Sequence, residues 1–394
     1  MTTTPCSDAP ACHVCGAPGL VLIPAYLALS RSTSDCKVWP AGGKMGVCPQ
    51  CGCAQAVLDT ACQKEADAIY GNYQIYHQSA GAEQSVFDAV SGQPLTRSAF
   101  LVQRLNETHL LPAHGRMMDF GCGIGNLLRS FGAIFPDWTL AGLELSDAQR
   151  QKVESIPQVE RLFTPPLSDV PGEFDLITMV HSLEHIPSPL LCLDEIRAKL
   201  KPGGLLLVDV PDCAANPFMF LVADHSSHFC LPVLQRLVQN AGFEIVVATN
   251  QLIAKELTVI GRKSSKPATP NWSTAGIMDA AALNGSITWL ENLSREAHNL
   301  SSRQPFGIFG TSIAATFLFG ELGEAVEFFV DEDPGRQGQV FNGRPIYAPG
   351  QVPAGGHVFI GLAPVAANRV LERVTSLRLN AHFYAPPPLG RQTT

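Results

Sequence analysis

Residues 117–128 read MMDFGCGIGNLL. An apolar run ends in Asp119, glycines follow at Gly121, Gly123 and Gly125, and a helix-like run begins at Asn126. Glycine lets the chain turn sharply and lets a ligand approach the backbone, while the helix start beyond it offers free N–H groups. The spacing is G-x-G-x-G and not the G-x-G-x-x-G of a dinucleotide-binding turn. The next apolar run, LAGLEL, ends on Glu144, 25 residues after Asp119, where a strand-tip carboxylate is placed to take the two hydroxyls of a ribose.

On both sides of this stretch the text alternates strand-like and helix-like runs. From Arg116 to about Ile260 the strands read MMDFG, WTLAGLEL, FDLITMV, GLLLVDV, FEIVVAT and ELTVIG, and the helices NLLRSFGAIF, PLLCLDEIRAKL and LPVLQRLVQNAG. That alternation predicts an α/β unit with a largely parallel sheet. RKSSKPATP, from Arg262, reads as a linker, followed by a polar helix over about 279–302. The tail repeats the α/β pattern in miniature, with strands FGIFG, AVEFFVDED, HVFIGLA and NAHFYA and helices SIAATFLFGELG and VAANRVLERV.

The 394 residues suffice for two to three domains. A net charge of −8, with only 16% charged residues, argues against general nucleic-acid binding, which needs a basic surface to displace counterions. The start MTTTPCSDAP has neither a basic stretch nor an apolar core, so no secretory signal is read there and a cytoplasmic location is expected. The most apolar stretch, from Phe306, is broken by glycines, Thr311, Ser312 and Glu321, and no membrane segment is expected.

Eight of the twelve cysteines fall in the first 62 residues. Cys12-x-x-Cys15-Gly and Cys48-x-x-Cys51-Gly are two tight knuckles whose thiolates are expected to complete a tetrahedral shell for a structural Zn(II), with Cys53 or Cys36 as alternative ligands and with buried free thiols or a redox pair as the competing readings. A closed four-thiolate site folds its module and does not catalyse. With weak periodicity around these cysteines, residues 1–62 read as a module held by something other than a hydrophobic core.

At this point the chain resembles the class I S-adenosylmethionine-dependent methyltransferases. The resemblance covers about residues 115–262 and rests on DFGCGIG, Glu144, FDLITMVHSLEHI and LKPGGLLLVDVP. It implies a Rossmann-like core in which Asp119, Gly121, Cys122, Gly123 and Gly125 line the cofactor, Glu144 binds its ribose, and the segment from His181 to His185 borders the site.

The layout is similar to the three-domain sugar C-methyltransferases, which act on nucleotide-linked 4-keto deoxysugars. FGTS (309–312) and DEDPGRQG (Asp331 to Gly338) match that family's C-terminal segments, whereas its Trp-Asn pair is replaced around Ala363 and Pro364. The expected organisation is a zinc module at 1–62, a helical lid or linker at 63–114, the methyltransferase core at 115–262, a linker and helix at 263–303, and a smaller α/β domain at 304–394.

Methylating a carbon beside a ketone needs a base for the C–H proton and a donor for the enolate oxygen. The family's Glu-His pair corresponds to Ser227-His228, so the resemblance implies His228 as the base, with Asp224 as a substitute carboxylate and His225 as neighbour. His185 lines the site. Tyr70, Tyr73 and Tyr76 recur at spacing three, one stripe of a helix, and the family's Tyr-x-x-Tyr lid motif implies Tyr73 and Tyr76 as site closers, with Tyr76 donating the hydrogen bond to the substrate. The expected reaction is enolate C-methylation of a nucleotide-linked sugar. O- or N-methylation of a glycan or small metabolite, and a cofactor-binding scaffold without chemistry, are the competing readings. The oligomeric state is open.

Overall fold

In the computed structural model, the described residues are 10–73, 83, 85–87, 94–265, 271–272 and 278–389. The N-terminal part contributes β1 (Val21–Leu22), β2 (Met45–Val47), β3 (Ala54–Ala56) and helix α1 (Thr60–Tyr70). Helix α2 (Arg97–Glu107) leads into the core, which runs β4 (Gly115–Phe120), α3 (Asn126–Ile134), β5 (Trp138–Leu143), β6 (Val159–Phe163), β7 (Phe174–Val180), α4 (Pro189–Lys199), β8 (Leu200–Pro211), β9 (Ser227–His228), α5 (Leu231–Asn240), β10 (Phe243–Thr249) and β11 (Glu256–Lys263).

Seven of these strands form one sheet in the order β6-β5-β4-β7-β8-β11-β10. The first five are parallel, and β11 runs antiparallel between β8 and β10. The apolar runs are nearly unbroken because both faces are covered. Met117, Leu205 and Leu207 pack in a cluster with Leu101, Leu128 and Phe131 of α2 and α3. Their sequence neighbours Met118, Leu206 and Val208 pack in another with Leu193, Ile196, Leu234 and Leu237 of α4 and α5. Successive strand residues thus feed opposite cores, as a two-residue period requires. The chain leaves β4 for β5 on one side and returns to β7 on the other, so a crevice opens beyond the ends of β4 and β7.

The C-terminal part contains α6 (Ala280–Ser301), β12 (Phe306–Phe309), α7 (Ile313–Leu322), β13 (Phe328–Val330), β14 (Val340–Phe341), β15 (Arg344–Tyr347), β16 (Gly356–Ile360), α8 (Pro364–Ser376) and β17 (Ala381–Tyr384). Its sheet runs β14-β15-β13-β12-β16-β17, parallel except for β14. Two edge elements, β6 and the β14-β15 hairpin, add to the strands read from sequence; VERLF buries only Leu162 fully and so lacks a strong apolar signal.

Three expectations change. The N-terminal module is not held by cysteines alone: Leu20, Ile23, Tyr26, Leu29, Met45 and Val47 are buried in the same apolar cluster as α4 and α5. The helix over 280–301 is not polar throughout, since Leu283, Ile287, Leu290, Leu293 and Ala297 form a buried stripe at helical spacing. Among the described residues, Tyr70 and Tyr73 do not share a helix either. Helix α1 ends at Tyr70 with Gly71 as its cap, leaving Tyr73 beyond the helix, while Tyr76 lies outside the described residues. No helix among the described residues is long and apolar enough to cross a membrane.

Candidate active site

The glycine turn after β4 takes its shape from left-handed backbone at Gly121 (φ 78°), Gly123 (φ 52°) and Gly125 (φ 81°), which only glycine adopts cheaply. The N–H groups of Gly121 and Cys122 both donate to the Leu143 carbonyl, tying the turn to the tip of β5. The N–H of Gly123 donates to Glu144 Oε2 at 2.8 Å, and Leu145 N–H donates to Oε1 at 2.8 Å. A carboxylate therefore stands over a bare glycine backbone at the mouth of the crevice. This donor set suits a ribose diol with an adjoining charged chain, so the residues fit an adenosyl cofactor.

Asp119 is buried at the end of β4 and accepts a hydrogen bond from Thr178 at 2.7 Å. Burial raises its carboxyl to about 7. Cys122 is buried, with its thiol pushed up by burial, and its backbone closes the turn, its N–H donating to Leu143 and its carbonyl accepting from Gly125.

Past β7 comes the segment His181 to His185. His181 holds an uncommon left-handed backbone (φ 51°) and its N–H donates to the Asp209 carbonyl at 2.8 Å. His185 Nδ1 lies 2.9 Å from the Asp224 carbonyl, 3.4 Å from the Asp224 carboxylate and 3.0 Å from the Tyr70 hydroxyl. The two Asp224 acceptors favour a proton on Nδ1, which leaves the Nε2 lone pair free. Asp224 is itself fixed by the Ser34 amide and hydroxyl at 2.8 and 2.5 Å.

The His185 and His225 rings meet edge-on at 4.7 Å, and His225 stands 5.7 Å from His228. His228 is 3% exposed, packs edge-on against Phe220, and has no hydrogen-bond partner for either ring nitrogen among the described residues. Burial lowers its pKa to about 3, and burial also lowers that of His225. The two rings border a small cleft with Tyr26, Arg31, Lys44 and Glu65 from the N-terminal part. The Asp224 carboxylate thus stands beside His185, where the sequence reading offered it to His228. Tyr73, whose hydroxyl is pushed up by burial, neighbours Tyr70 with ring centroids 6.1 Å apart.

In the cysteine module, the Sγ atoms of Cys12, Cys15, Cys48 and Cys51 all lie within 4.8 Å of one another. Cys12 and Cys51 are 3.7 Å apart and Cys15 and Cys48 3.6 Å. A tetrahedron with Zn–S bonds of about 2.3 Å has edges of about 3.8 Å, so the thiols fit zinc. Each knuckle is locally organised: Cys15 N–H points at Cys12 Sγ, Cys51 N–H points at Cys48 Sγ, and Gly16 and Gly52 turn in left-handed backbone. Cys53 lies outside this group, its thiol directed to the Ala54 carbonyl, and Cys36 is also absent from it.

The structure adds residues that the sequence reading did not select. Asp209 of β8 and Glu256 of β11 are buried side by side, and Glu184 is 2% exposed between His181 and His185. Burial and the nearby Glu256 hold the Asp209 carboxyl well above its usual range. Burial opposes ionisation of Glu256, but His181 and Arg97 outweigh it and keep that carboxyl low. Lone acids inside the apolar runs LLLVDVP and ELTVIG were the available signal, because a carboxylate in a buried strand costs stability unless it is paired or used.

The sequence profile of the methyltransferase domain family matches residues 96–248. Over 127 residues the chain is 32% identical to a ubiquinone biosynthesis O-methyltransferase of Bordetella pertussis, an alignment spanning 31% of this chain and 52% of that one. Over 117 residues it is 31% identical to a trans-aconitate 2-methyltransferase of Deinococcus radiodurans, spanning 29% and 42%. The chain thus spans about half the length of these curated relatives. Among solved structures, the Burkholderia thailandensis 1,6-didemethyltoxoflavin-N1-methyltransferase with bound S-adenosylhomocysteine superposes with a TM-score of 0.39 at 20% identity, covering 54% of this chain and 96% of that one. From the glycine turn, the strand order and the family match together, the chain carries a class I S-adenosylmethionine-dependent methyltransferase domain.

Proposed function

We propose that the protein transfers the methyl group of S-adenosylmethionine to a small-molecule acceptor that must lose a proton, and that the acceptor is the enolate of a nucleotide-linked keto deoxysugar. The observation that carries the cofactor assignment is the Glu144 carboxylate poised over Gly123 at the switch point of the sheet. The bound cofactor supplies an electrophilic methyl. Glu144 holds the ribose, and Gly121, Gly123 and Gly125 admit the amino-acid end to the backbone.

His185 is the proposed base. Its Nδ1 is oriented by Asp224, its side chain is 17% exposed, and Tyr70 offers a hydroxyl to an oxygen beside the reacting atom. His228 serves that role poorly, because an imidazole held at about 3 is a weak acceptor for a C–H proton. The proposed role of His228 is therefore packing under the His185–His225 pair, with Tyr73 and Tyr76 closing the site over the acceptor. The layout of cysteine module, methyltransferase domain and C-terminal α/β sheet supports a nucleotide-linked sugar. O-methylation is the second reading, favoured by the likeness to ubiquinone biosynthesis O-methyltransferases.

Mass spectrometry of the protein with S-adenosylmethionine and a panel of nucleotide-linked 4-keto deoxysugars tests this. Incubation in heavy water without cofactor runs alongside. A methylated sugar, with deuterium entering next to the ketone when cofactor is omitted, is expected. Methylation of an oxygen without exchange selects the second reading, and cofactor binding with no transfer to any acceptor overturns both.

A further inference from the structure

We infer that His181, Asp209 and Glu256 form a binding site for a divalent first-row cation, oriented by Glu184 and separate from the cysteine cluster. One ligand atom from each of the three lies within 4.8 Å of the others, and His181 Nε2 stands 3.2 Å from Glu256 Oε1. Donors bound to one cation at about 2.1 Å stand roughly 3 to 4 Å apart.

The atoms facing this point are buried and unspent. His181 Nε2, Asp209 Oδ1 and Glu256 Oε2 have no hydrogen-bond partner among the described residues, although Asp209 is fully buried and the Glu256 side chain is 9% exposed. Buried polar atoms are normally satisfied, so an orphaned atom on each of three neighbouring side chains indicates a missing partner. A cation suits the charge balance, since Glu184, Asp209 and Glu256 bring three carboxyl groups against the Arg97 guanidinium 3.6 Å from Glu256 and the His181 imidazole 3.2 Å from it.

The surroundings are those of a supported metal site. Thr258 donates to Asp209 Oδ2 at 2.6 Å, fixing the carboxylate with Oδ1 left over. Glu184 Oε1 stands 3.6 Å from His181 Nδ1, just beyond hydrogen-bond distance, and has no partner among the described residues, so a small turn of the ring toward it would put the proton on Nδ1 and present Nε2 to a cation. A carboxylate behind a histidine is how ligating imidazoles are usually held. Asp209 and Glu256 come from neighbouring strands of the rigid sheet, and His181 is 28% exposed, which leaves one side open to an incoming oxygen ligand. On the methyltransferase reading, the cation binds an acceptor oxygen beside the reacting atom; this last role rests on that reading, whereas cation binding does not.

Imidazole with two carboxylates suits Mn(II), while thiolates prefer zinc, so Mn(II) probes this site without competing for the cysteines. Zinc-loaded protein is titrated with Mn(II), free Mn(II) being read by electron paramagnetic resonance without any methyl acceptor. One saturable site per chain is expected. Asp209→Asn and His181→Phe should each weaken it at least about tenfold, and Glu184→Gln by about 10- to 100-fold. Circular dichroism reports folding, and if Asp209→Asn does not fold, Glu184→Gln decides. Absence of saturable binding, or equal binding by all folded variants, overturns the site and leaves the methyl-transfer reading intact. An inactive protein that binds Mn(II) at these residues does the reverse.

Discussion

His228 of the methyltransferase domain and Ala54 of the cysteine module are partners in one antiparallel ladder, with Ser227 opposite Gln55 beside them. Gln55 also donates to Cys12 Sγ at 3.0 Å, so a single residue joins the thiol cluster to the segment that carries His225 and His228. The module is thereby a structural wall of the candidate site.

Metal loss should therefore propagate. One zinc per chain is expected by elemental analysis of protein purified without chelator. Its removal, or Cys51→Ser, should lower the melting temperature and weaken protection of the 225–230 amides in hydrogen exchange. Less than half an equivalent of zinc, with all four thiols titratable, contradicts the assignment.

Glu144→Ala should weaken S-adenosylmethionine binding by about 10- to 100-fold, since each hydrogen bond to a charged group contributes about 1.5–3 kcal/mol. Isothermal titration calorimetry measures this. Stability should change little, because among the described residues the Glu144 carboxylate accepts from two backbone amides, those of Gly123 and Leu145, at the half-exposed crevice mouth. Unchanged affinity would place the ribose elsewhere.

His185→Ala should lower turnover by about 10²- to 10⁴-fold, the usual contribution of a positioned base. Asp224→Asn should have a smaller effect and shift the pH–rate profile, since it acts through His185. His228→Gln should cost less turnover than either. Single-turnover rates across pH rank the three, and a larger loss at His228 would return the base to that residue.

Burial of His228 links stability to pH. Between its folded value of about 3 and the unfolded value of about 6.5, the unfolded chain binds one more proton. Stability therefore falls as pH drops through that window, by up to about 1.4 kcal/mol per unit from this group. Asp119, raised to about 7, acts oppositely between about 3.8 and 7, because there the folded state holds the extra proton. The difference between wild type and His228→Phe isolates the histidine. Urea midpoints at pH 5 and 7 should show a shallower loss toward acid in the variant, and parallel slopes would contradict a neutral buried His228.

Strand runs, the glycine turn, Glu144 and the paired cysteine knuckles were legible in the chain because each is a local pattern. A buried strand needs a continuous apolar run, a left-handed turn needs glycine, and a tetrahedral thiolate site needs short Cys-x-x-Cys loops. Partnerships across the fold were not legible. That Asp224 serves His185, that Asp209 meets Glu256 and His181, and that the cysteine module shares an apolar core and a ladder with the methyltransferase domain all depend on chain closures between distant residues. Spacing along a sequence fixes only nearest neighbours, whereas the sheet's register and the packing on its faces decide which buried polar groups come within reach of one another.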